Sequence, residues 1–458
     1  MHMINYTSQY QTQFEDFSNL CQLELDPNNR WIQLGALLPW DRMAQVYAKR
    51  FSPHMGAGAV HPRWVIGAFI IKHKLRLSDE ETLLSISENP YMQFFLGLQT
   101  YRPTRLFSPA LFVEMRKRLG EDTFDEFSRT LIAFSEDLAP APDGQEDPAP
   151  KGKLKIDATV ADQYIRYPTD LSLVNEARVK TERIIDELWE LLNDQLPVKP
   201  RTYRKVAHQR YLSQSKKKKA SRASLRKTLR YLLNCVERNL GHIDGMLDLL
   251  DGRTFPLAHK YQRQLWVIHT LYAQQRGMYD EDSRQCDDRI VSISQPHVRP
   301  IVRGKTGKSV EFGAKLGLSL FGGYLTHQTI SWDAYNEGAD LTNQAETYRL
   351  LTGHYPELIQ CDKIYHTNDN RSWCSERGIR MTALSKGPKS KLSAYQKRKQ
   401  RDEYAERNHI EGRIGNAKQA LSLNQIKAKL QDTSETWIAA TLFVLNLSAF
   451  AARSGVTF

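Results

Sequence analysis

The stretch KLKIDATV, residues 153–160, is where helix-forming sequence gives way to a β-strand. Its apolar residues alternate with polar ones, which predicts a short strand with Asp157 near its end. Before it, from about residue 12 to residue 138, apolar residues recur at helical spacing without an alternating pattern. We therefore predict an N-terminal all-α domain over residues 1–138 and a mixed α/β domain that begins at residue 153.

Helix start signals are clear in the N-terminal region. Pro62 opens an apolar helix, and Ser78 with Glu81 forms a capping box at the start of another. A further helix is expected to begin at Ser108 and to end near Gly120. A helix-turn-helix geometry for DNA binding or dimerisation is one interpretation. A domain that mediates only protein contacts is the other, because no base-reading side chain can be identified.

The strand is flanked by a linker and by a long helical segment. Residues 139–152 contain APAPDGQEDPAP, which is typical of an extended linker. Residues 172–289 return to helical spacing, and this segment is far longer than an ordinary loop. We interpret it as a helical insertion domain, which leaves residues 153–171 and 290–458 for the α/β domain.

Four more strands are predicted after the insertion. Residues 310–320 and 324–332 flank a Gly-Gly turn and predict a hairpin, residues 358–361 predict a strand before Asp362, and residues 379–384 predict the fifth. Helices are expected near 341–352 and 370–377, and a long one carries Glu411. If the first and fourth strands are neighbours, Asp157 and Asp362 lie side by side, and a helix packed on the sheet can bring Glu411 to them.

The long helix contains YAERNHIEGRIGNAK, residues 404–418. At about 100° per residue, Tyr404, Arg407, Glu411 and Lys418 fall within roughly 60° of one another. One carboxylate flanked by a phenol and two cations suits a site that holds a metal ion and grips phosphate. The alternative is a solvated helix face with ordinary charge pairing.

Three acids in one small space favour a divalent cation. Carboxylate oxygens suit Mg²⁺, with Mn²⁺ as a substitute, and two ions about 4 Å apart support in-line phosphoryl displacement. Taken singly, Asp157 could merely cap a turn and Asp362 could merely end a strand. The neighbouring acids Asp162, Asp369, Glu403 and Glu406 are competitors for the same role.

Composition and charge narrow the class of protein. The 458 residues are 41% apolar and 25% charged, as in globular proteins, and 64 Lys plus Arg against 52 Asp plus Glu give a net charge of +12. That excess favours a polyanionic partner. The five scattered cysteines form no zinc-type pattern and indicate a reducing cytoplasm. No secretory signal is seen, and residues 437–452 predict a buried core helix, so no membrane role is expected.

Several basic positions are candidates for DNA contact. One run lies inside the helical insertion and another precedes the long helix; a solvated or mobile surface is the alternative for both. The candidates in these runs are Lys216, Lys217, Lys218, Lys219, Lys389 and Lys391.

The element order, IDAT around Asp157, CDKIY around Asp362 and the Tyr404/Arg407/Glu411/Lys418 signature resemble a bacterial insertion-sequence DDE transposase with a ribonuclease H-like catalytic domain. The segments RGKTGKSVEFGAKLGLSLFGGYL and SWDAYNEGADL resemble the same group, and so does the helical N-terminal domain. The likeness covers nearly the whole chain. The chain differs from the best-studied members of this group in one respect. Only 49 positions separate Asp362 from Glu411, which is too few for the large β-rich insertion that those members carry there, and the insertion of this chain follows the first aspartate instead.

The resemblance implies a site and a reaction. Asp157, Asp362 and Glu411 would be the catalytic triad that binds two Mg²⁺ ions, while Arg407 and Lys418 would hold DNA phosphates with support from Tyr404. A homodimer or higher oligomer would recognise terminal inverted repeats in double-stranded DNA, expose 3′-hydroxyls and join them to target DNA. A transposase-derived DNA-binding protein that no longer cuts, and a ribonuclease H-like nuclease or resolvase, are the alternatives. Further DNA contacts are expected from Arg303, Lys305 and Lys308.

Overall fold

The computed structural model describes residues 25–52, 58–136, 149–250, 255–302, 310–382 and 393–458. The chain forms two units, the first from Met1–Gln163 together with Ala314–Phe458 and the second from Tyr164–Gly313. The N-terminal helices and most of the sheet belong to the first unit. Residues 139–148 of the predicted linker lie outside the described residues.

In the described part of the chain, six helices precede the sheet. Pro62 is the first residue of its helix, as predicted. The capping box is also confirmed, because the Ser78 hydroxyl accepts from the Glu81 amide at 3.1 Å and the Glu81 carboxylate accepts from the Ser78 amide at 3.0 Å. These helices are α1 (Arg30–Leu37), α2 (Trp40–Ala48), α3 (Pro62–Leu75), α4 (Asp79–Glu88), α5 (Pro90–Phe95) and α6 (Ala110–Glu136).

The prediction that a helix ends near Gly120 is confirmed, because Gly120 has a non-helical conformation between two helical stretches. The chain kinks there, at φ 69° and ψ 178°, and then continues as helix to Glu136. Beyond the kink, α6 packs along the last helix of the chain, Gln431–Arg453, and Phe124 and Phe127 contact Phe443 of that helix. A glycine allows this turn because other residues rarely adopt such a conformation.

The sheet is mixed and has six strands: β1 (Lys153–Asp162), β2 (Arg299–Val302), β3 (Val310–Phe321), β4 (Tyr324–Ser331), β5 (Leu358–Gln360) and β6 (Arg380–Met381). Their order is β2-β3-β1-β5-β6, with β4 also paired to β3. β1, β5 and β6 are parallel, whereas β3 is antiparallel to both β2 and β4. The predicted neighbouring of the strands that carry Asp157 and Asp362 is thus confirmed.

The strands differ from the sequence predictions in three places. β1 continues to Asp162, so Asp157 lies in its middle rather than near its end. β2 was not predicted, because four residues that include Pro300 are too few to produce a pattern. β6 has two residues, and residues 383–384 of the predicted strand lie outside the described residues. The β3–β4 hairpin is as predicted, with Gly322 and Gly323 both at positive φ.

Among the described residues after β4, the first unit has four helices and two 3-10 turns. The helices are α11 (Leu341–Thr352), α12 (Asn368–Glu376), α13 (Ala394–Ala420) and α14 (Gln431–Arg453), and the turns are Glu337–Asp340 and Lys363–Tyr365. In the part of the chain that the structure describes, α14 is the one helix that is long and apolar enough to cross a membrane. However, 72% of its apolar stretch is buried inside the protein. The predicted core helix is therefore confirmed.

The second unit contains α7 (Asp170–Leu192), α8 (Arg204–Ser215), α9 (Arg222–Asp248) and α10 (His259–Asp280). Its core is its own, with Ile184, Leu188, Leu232 and Ile268 all fully buried. The predicted helices between the first strand and the later ones are therefore present.

Candidate active site

The two aspartates lie on neighbouring parallel strands at the same level. Lys155 of β1 is opposite Gln360 of β5, and Asp157 and Asp362 each follow two residues later. Because side chains two residues apart in an extended chain point to the same face, the register directs both carboxylates to the face that carries Lys155 and Gln360. The sheet thus supplies a pair of aligned attachment points for acidic groups.

Asp157 is largely buried. Its side chain is 22% exposed, and its Oδ1 accepts a hydrogen bond from the Ala158 amide at 2.9 Å. Burial raises the pKa of Asp157, and the negative charges of Glu411 and Glu337 act in the same direction; the Ala158 amide and Arg407 oppose them. The ionised form of Asp157 is therefore less favourable here than in water, which is typical of a carboxylate set near other acids.

Asp362 is exposed and begins a tight turn. Its Oδ1 accepts from the Lys363 amide at 2.9 Å and caps the 3-10 turn Lys363–Tyr365. The carboxylate therefore lies just beyond the carboxyl end of β5, where ligands commonly bind in sheets with parallel strands.

Helix α13 is fastened to the sheet by two glutamates. The Glu406 carboxylate forms ion pairs with Lys153 Nζ at 2.8 Å and with Lys155 Nζ at 3.2 Å, and both lysines are in β1. Arg380 of β6 contacts both oxygens of Glu403, at 2.9 and 2.7 Å. Glu403 and Glu406, which competed for the metal role in the sequence, are thus engaged in docking the helix.

One turn beyond that anchor, Arg407 lies between two of the predicted triad residues. It is 7% exposed, its Nη2 donates to Glu411 Oε1 at 3.1 Å, and its Nη1 is 4.0 Å from Asp157 Oδ2. The guanidinium carbon is also 5.4 Å from the centre of the Tyr404 ring. Three of the four signature residues therefore form one connected group beside Asp157, and Lys418 follows on the same helix.

As the side chains stand, two of the three predicted triad residues share a cation of the protein. Among the described residues, no group of three or more His, Cys, Asp or Glu lies close enough together to hold a metal ion. Asp157 and Glu411 instead share Arg407, and the Glu411 side chain is 54% exposed. One guanidinium offsets one of the two negative charges, whereas a divalent cation would offset both.

The sequence reasoning missed two neighbours of Asp157. Glu337 is close enough for its charge to raise the pKa of Asp157, and its own carboxylate is 2.7 Å from Lys315 Nζ. Tyr365 is fully buried, and its hydroxyl has no hydrogen-bond partner. Burial and the charges of Glu337 and Asp157 raise the pKa of Tyr365, which keeps the hydroxyl protonated. Glu337 lies within SWDAYNEGADL, but nothing in that segment alone indicates its proximity to Asp157.

Asn370 ties the turns that carry these two residues. Its side-chain Nδ2 donates to the Gly338 carbonyl at 2.7 Å and to the Tyr365 carbonyl at 2.9 Å. At Gly338 a Cβ atom would come within 2.7 Å of the Ile364 carbonyl oxygen, so only glycine allows this approach. The two 3-10 turns are therefore held together as one wall beside Asp157.

Four of the predicted DNA-contact lysines belong to the second unit. Lys216–Lys219 are exposed between α8 and α9 in the second unit, where Lys217 Nζ is 3.2 Å from Gln214 Oε1. Their role stays a prediction. The remaining basic candidates, Arg303, Lys305, Lys308, Lys389 and Lys391, lie outside the described residues.

Comparison with known proteins places two segments in transposase families. Residues 359–448, which include Asp362 and Glu411, match the family described as "Transposase DDE domain". Residues 20–118 match "Transposase domain (DUF772)". The chain is also similar to the uncharacterized protein ORF8 in the nfe locus of Rhizobium meliloti, at 28% identity over 153 residues, which are 33% of this chain and 71% of that protein. No solved structure matches the chain.

Proposed function

We propose that the chain is an insertion-sequence DDE transposase that hydrolyses phosphodiester bonds at the ends of an insertion element and transfers the 3′-hydroxyl ends into target DNA, because two of its segments match transposase family models. The observation that carries the proposal is the pairing of β1, which contains Asp157, with β5, which Asp362 follows by two residues, together with the link of Glu411 to Asp157 through Arg407. The fold proposed for this part of the chain is ribonuclease H-like. Its support is the mixed sheet, in which a hairpin and two parallel strands flank β1.

The donor set fits Mg²⁺ or Mn²⁺. Hard carboxylate oxygens are the ligands these ions prefer, and the exposed Glu411 side chain is free of packing that would prevent its rotation toward the aspartates. Asp157, Asp362 and Glu411 would hold two ions, which when bound supply activation of the attacking oxygen and stabilisation of the leaving one.

The protein's own groups would position the DNA. Arg407 is shared by Asp157 and Glu411 in the structure, and a bound cation would release its guanidinium for a DNA phosphate. Lys418 and the ring of Tyr404, 48% exposed, would extend the same contact along α13. Glu403 and Glu406 would keep the helix in place during this change, because their partners lie on the sheet.

The wider organisation follows from the same assignment. We propose that residues 1–138 bind DNA or mediate dimerisation, that residues 153–171 and 290–458 form the catalytic domain, and that the 172–289 insertion contacts DNA through Lys216–Lys219. The active form would be a homodimer or higher oligomer on terminal inverted repeats in the bacterial cytoplasm.

A catalytically silent DNA-binding protein is the second candidate. The observation in its favour is the Arg407 bridge, because a guanidinium fixed between Asp157 and Glu411 would exclude metal rather than make way for it.

One assay separates these functions. Labelled duplexes that carry the inverted repeats from the flanks of the encoding gene are incubated with protein and Mg²⁺, and cleaved and joined products are resolved by electrophoresis. Joined products support transposition, cleavage alone a nuclease or resolvase, and binding alone the silent protein.

A matched pair of variants tests the site. Glu411→Gln keeps the shape of the side chain and should abolish cleavage and joining while the protein still binds DNA. Asp402→Asn is the control, because Asp402 is on the same helix and its side chain is 65% exposed. Full activity of Glu411→Gln would refute the assignment of the triad.

A further inference from the structure

A cavity of about 330 Å³ lies in the first unit and shares no residue with the candidate active site. The end of α3, the loop after α13 and helix α14 form its walls. Arg76 closes α3 in the left-handed conformation, at φ 58°, and its Nη1 donates to the Gln419 carbonyl at 3.2 Å. The cavity therefore joins the N-terminal helices to the end of the signature helix.

Two nitrogen atoms on its walls have no hydrogen-bond partner among the residues that the structure describes. They are Nε2 of His73, a residue only 3% exposed, and Nε1 of Trp437. Buried polar atoms are nearly always paired in folded proteins, because an unpaired one loses its bonds to water without replacement. Two such atoms on the wall of one cavity therefore indicate a site for a polar ligand.

The two atoms differ in what they can bind. The indole Nε1 of Trp437 can only donate. The Thr441 hydroxyl donates to the Trp437 carbonyl at 2.9 Å, so its oxygen accepts from His73 Nδ1 at 3.2 Å. The hydrogen of the neutral ring is then on Nδ1, and Nε2 is an acceptor. Burial and the charges of Lys72 and Arg116 lower the pKa of His73 well below its usual range, so the ring is neutral.

The charges on the cavity walls are positive. The lining contains Lys72, Arg76 and Lys427 and no acidic residue. Arg76 and Lys427 are exposed, and within the described ranges neither has a carboxylate at ion-pair distance.

The acids that lie just beyond the lining are already engaged. Asp79 receives Lys72 at 2.9 Å and Arg116 at 2.6 Å, so one carboxylate serves two cations. Glu81 is held by the Ser78 cap. The cavity therefore keeps an excess of positive charge.

We propose that this cavity binds a phosphate group. Residues with an ammonium, a guanidinium and an indole donor line it from different elements, which suits a tetrahedral oxyanion better than a planar carboxylate. The group comes either from the DNA backbone or from free phosphate. The inference goes beyond the proposed strand transfer and uses none of its catalytic residues.

The first experiment titrates the DNA-free full chain with inorganic phosphate at constant ionic strength, by calorimetry. Lys427→Gln should weaken the affinity for phosphate at least about tenfold, because one charge-assisted hydrogen bond is lost. Lys429→Gln is the matched control: Lys429 is exposed two residues further along the same loop and does not line the cavity. Absence of saturable binding by the wild-type chain, or equal effects of the two substitutions, would overturn the proposal.

A third variant tests the wall atom itself. Trp437→Phe retains an aromatic ring of smaller size and removes the indole donor, and it should weaken phosphate binding in the same direction. The melting temperature without phosphate monitors the fold of each variant. Unchanged phosphate affinity in a folded Trp437→Phe protein would argue against the site, and Lys427→Gln gives an independent result should that protein not fold.

The source of the phosphate is distinguished by DNA binding. Fluorescence anisotropy with a labelled duplex at fixed salt compares Lys427→Gln with Lys429→Gln. A larger loss for Lys427→Gln identifies a backbone phosphate as the ligand. Equal DNA affinities combined with lost phosphate binding identify free phosphate. The strand-transfer reaction is not measured in either arm, so failure of this inference and failure of the proposed function are separable.

Discussion

Replacement of Tyr365 by Phe should make the protein more stable. The Tyr365 hydroxyl is fully buried without a partner, and such a group costs about 1–3 kcal/mol relative to one that is hydrogen-bonded. Removal of the oxygen also gives up a few van der Waals contacts, about 0.1–0.2 kcal/mol each. The expected net gain in the free energy of unfolding is therefore about 1 kcal/mol.

Urea denaturation followed by fluorescence measures this gain, and Tyr47→Phe is the matched control. Tyr47 is also fully buried, but its hydroxyl donates to the Val60 carbonyl at 3.2 Å. Tyr47→Phe should therefore lose about 0.5–1.5 kcal/mol. If both substitutions destabilise the protein equally, the Tyr365 hydroxyl is paired in solution, and the reasoning from its isolation is refuted.

Two more predictions concern charge and backbone. Asp157→Asn should stabilise the metal-free protein at pH 7, because a raised pKa means that ionisation of Asp157 opposes folding. The gain in the free energy of unfolding, measured by urea denaturation, should shrink as the pH falls toward 3.8, the usual pKa of an aspartate. A gain that stayed constant with pH would mean that Asp157 does not titrate. Gly120→Ala should lower the free energy of unfolding by about 1–3 kcal/mol, since φ 69° with ψ 178° is nearly restricted to glycine. Gly245→Ala within α9, where a Cβ atom meets nothing within 4 Å, should raise it by about 0.5–1 kcal/mol, and thermal melts that showed the opposite order would contradict both.

Local signals predicted the elements well. The Ser78 and Glu81 capping box depends on side chains three residues apart, and the KLKIDATV strand depends on an alternating pattern within one segment. Gly120 is a further local signal, because the helix breaks at this glycine as predicted; the second helical stretch beyond it, where Phe127 contacts Phe443, was not predicted. β2 is too short for any pattern to appear.

The candidate site was predictable in its backbone but not in its side chains. Strand pairing between β1 and β5 was assumed from the sequence and is found. The position of Arg407 between Asp157 and Glu411 depends on how α13 lies on the sheet, which is set by Glu403 and Glu406 far from the strands in sequence. The proximity of Glu337 likewise results from the packing of two turns against each other. Long-range geometry of this kind leaves no mark in a single segment.

The interruption of the first unit has a consequence for how the protein is made. β1 ends at Asp162, while its sheet neighbours β3 and β5 begin at Val310 and Leu358. At ribosomal speeds of about 5–20 residues per second, a nascent β1 would wait on the order of ten seconds for its first partner. The helices of the second unit emerge during that interval and can fold first, so newly made β1 edges are exposed to chaperones until translation passes the hairpin.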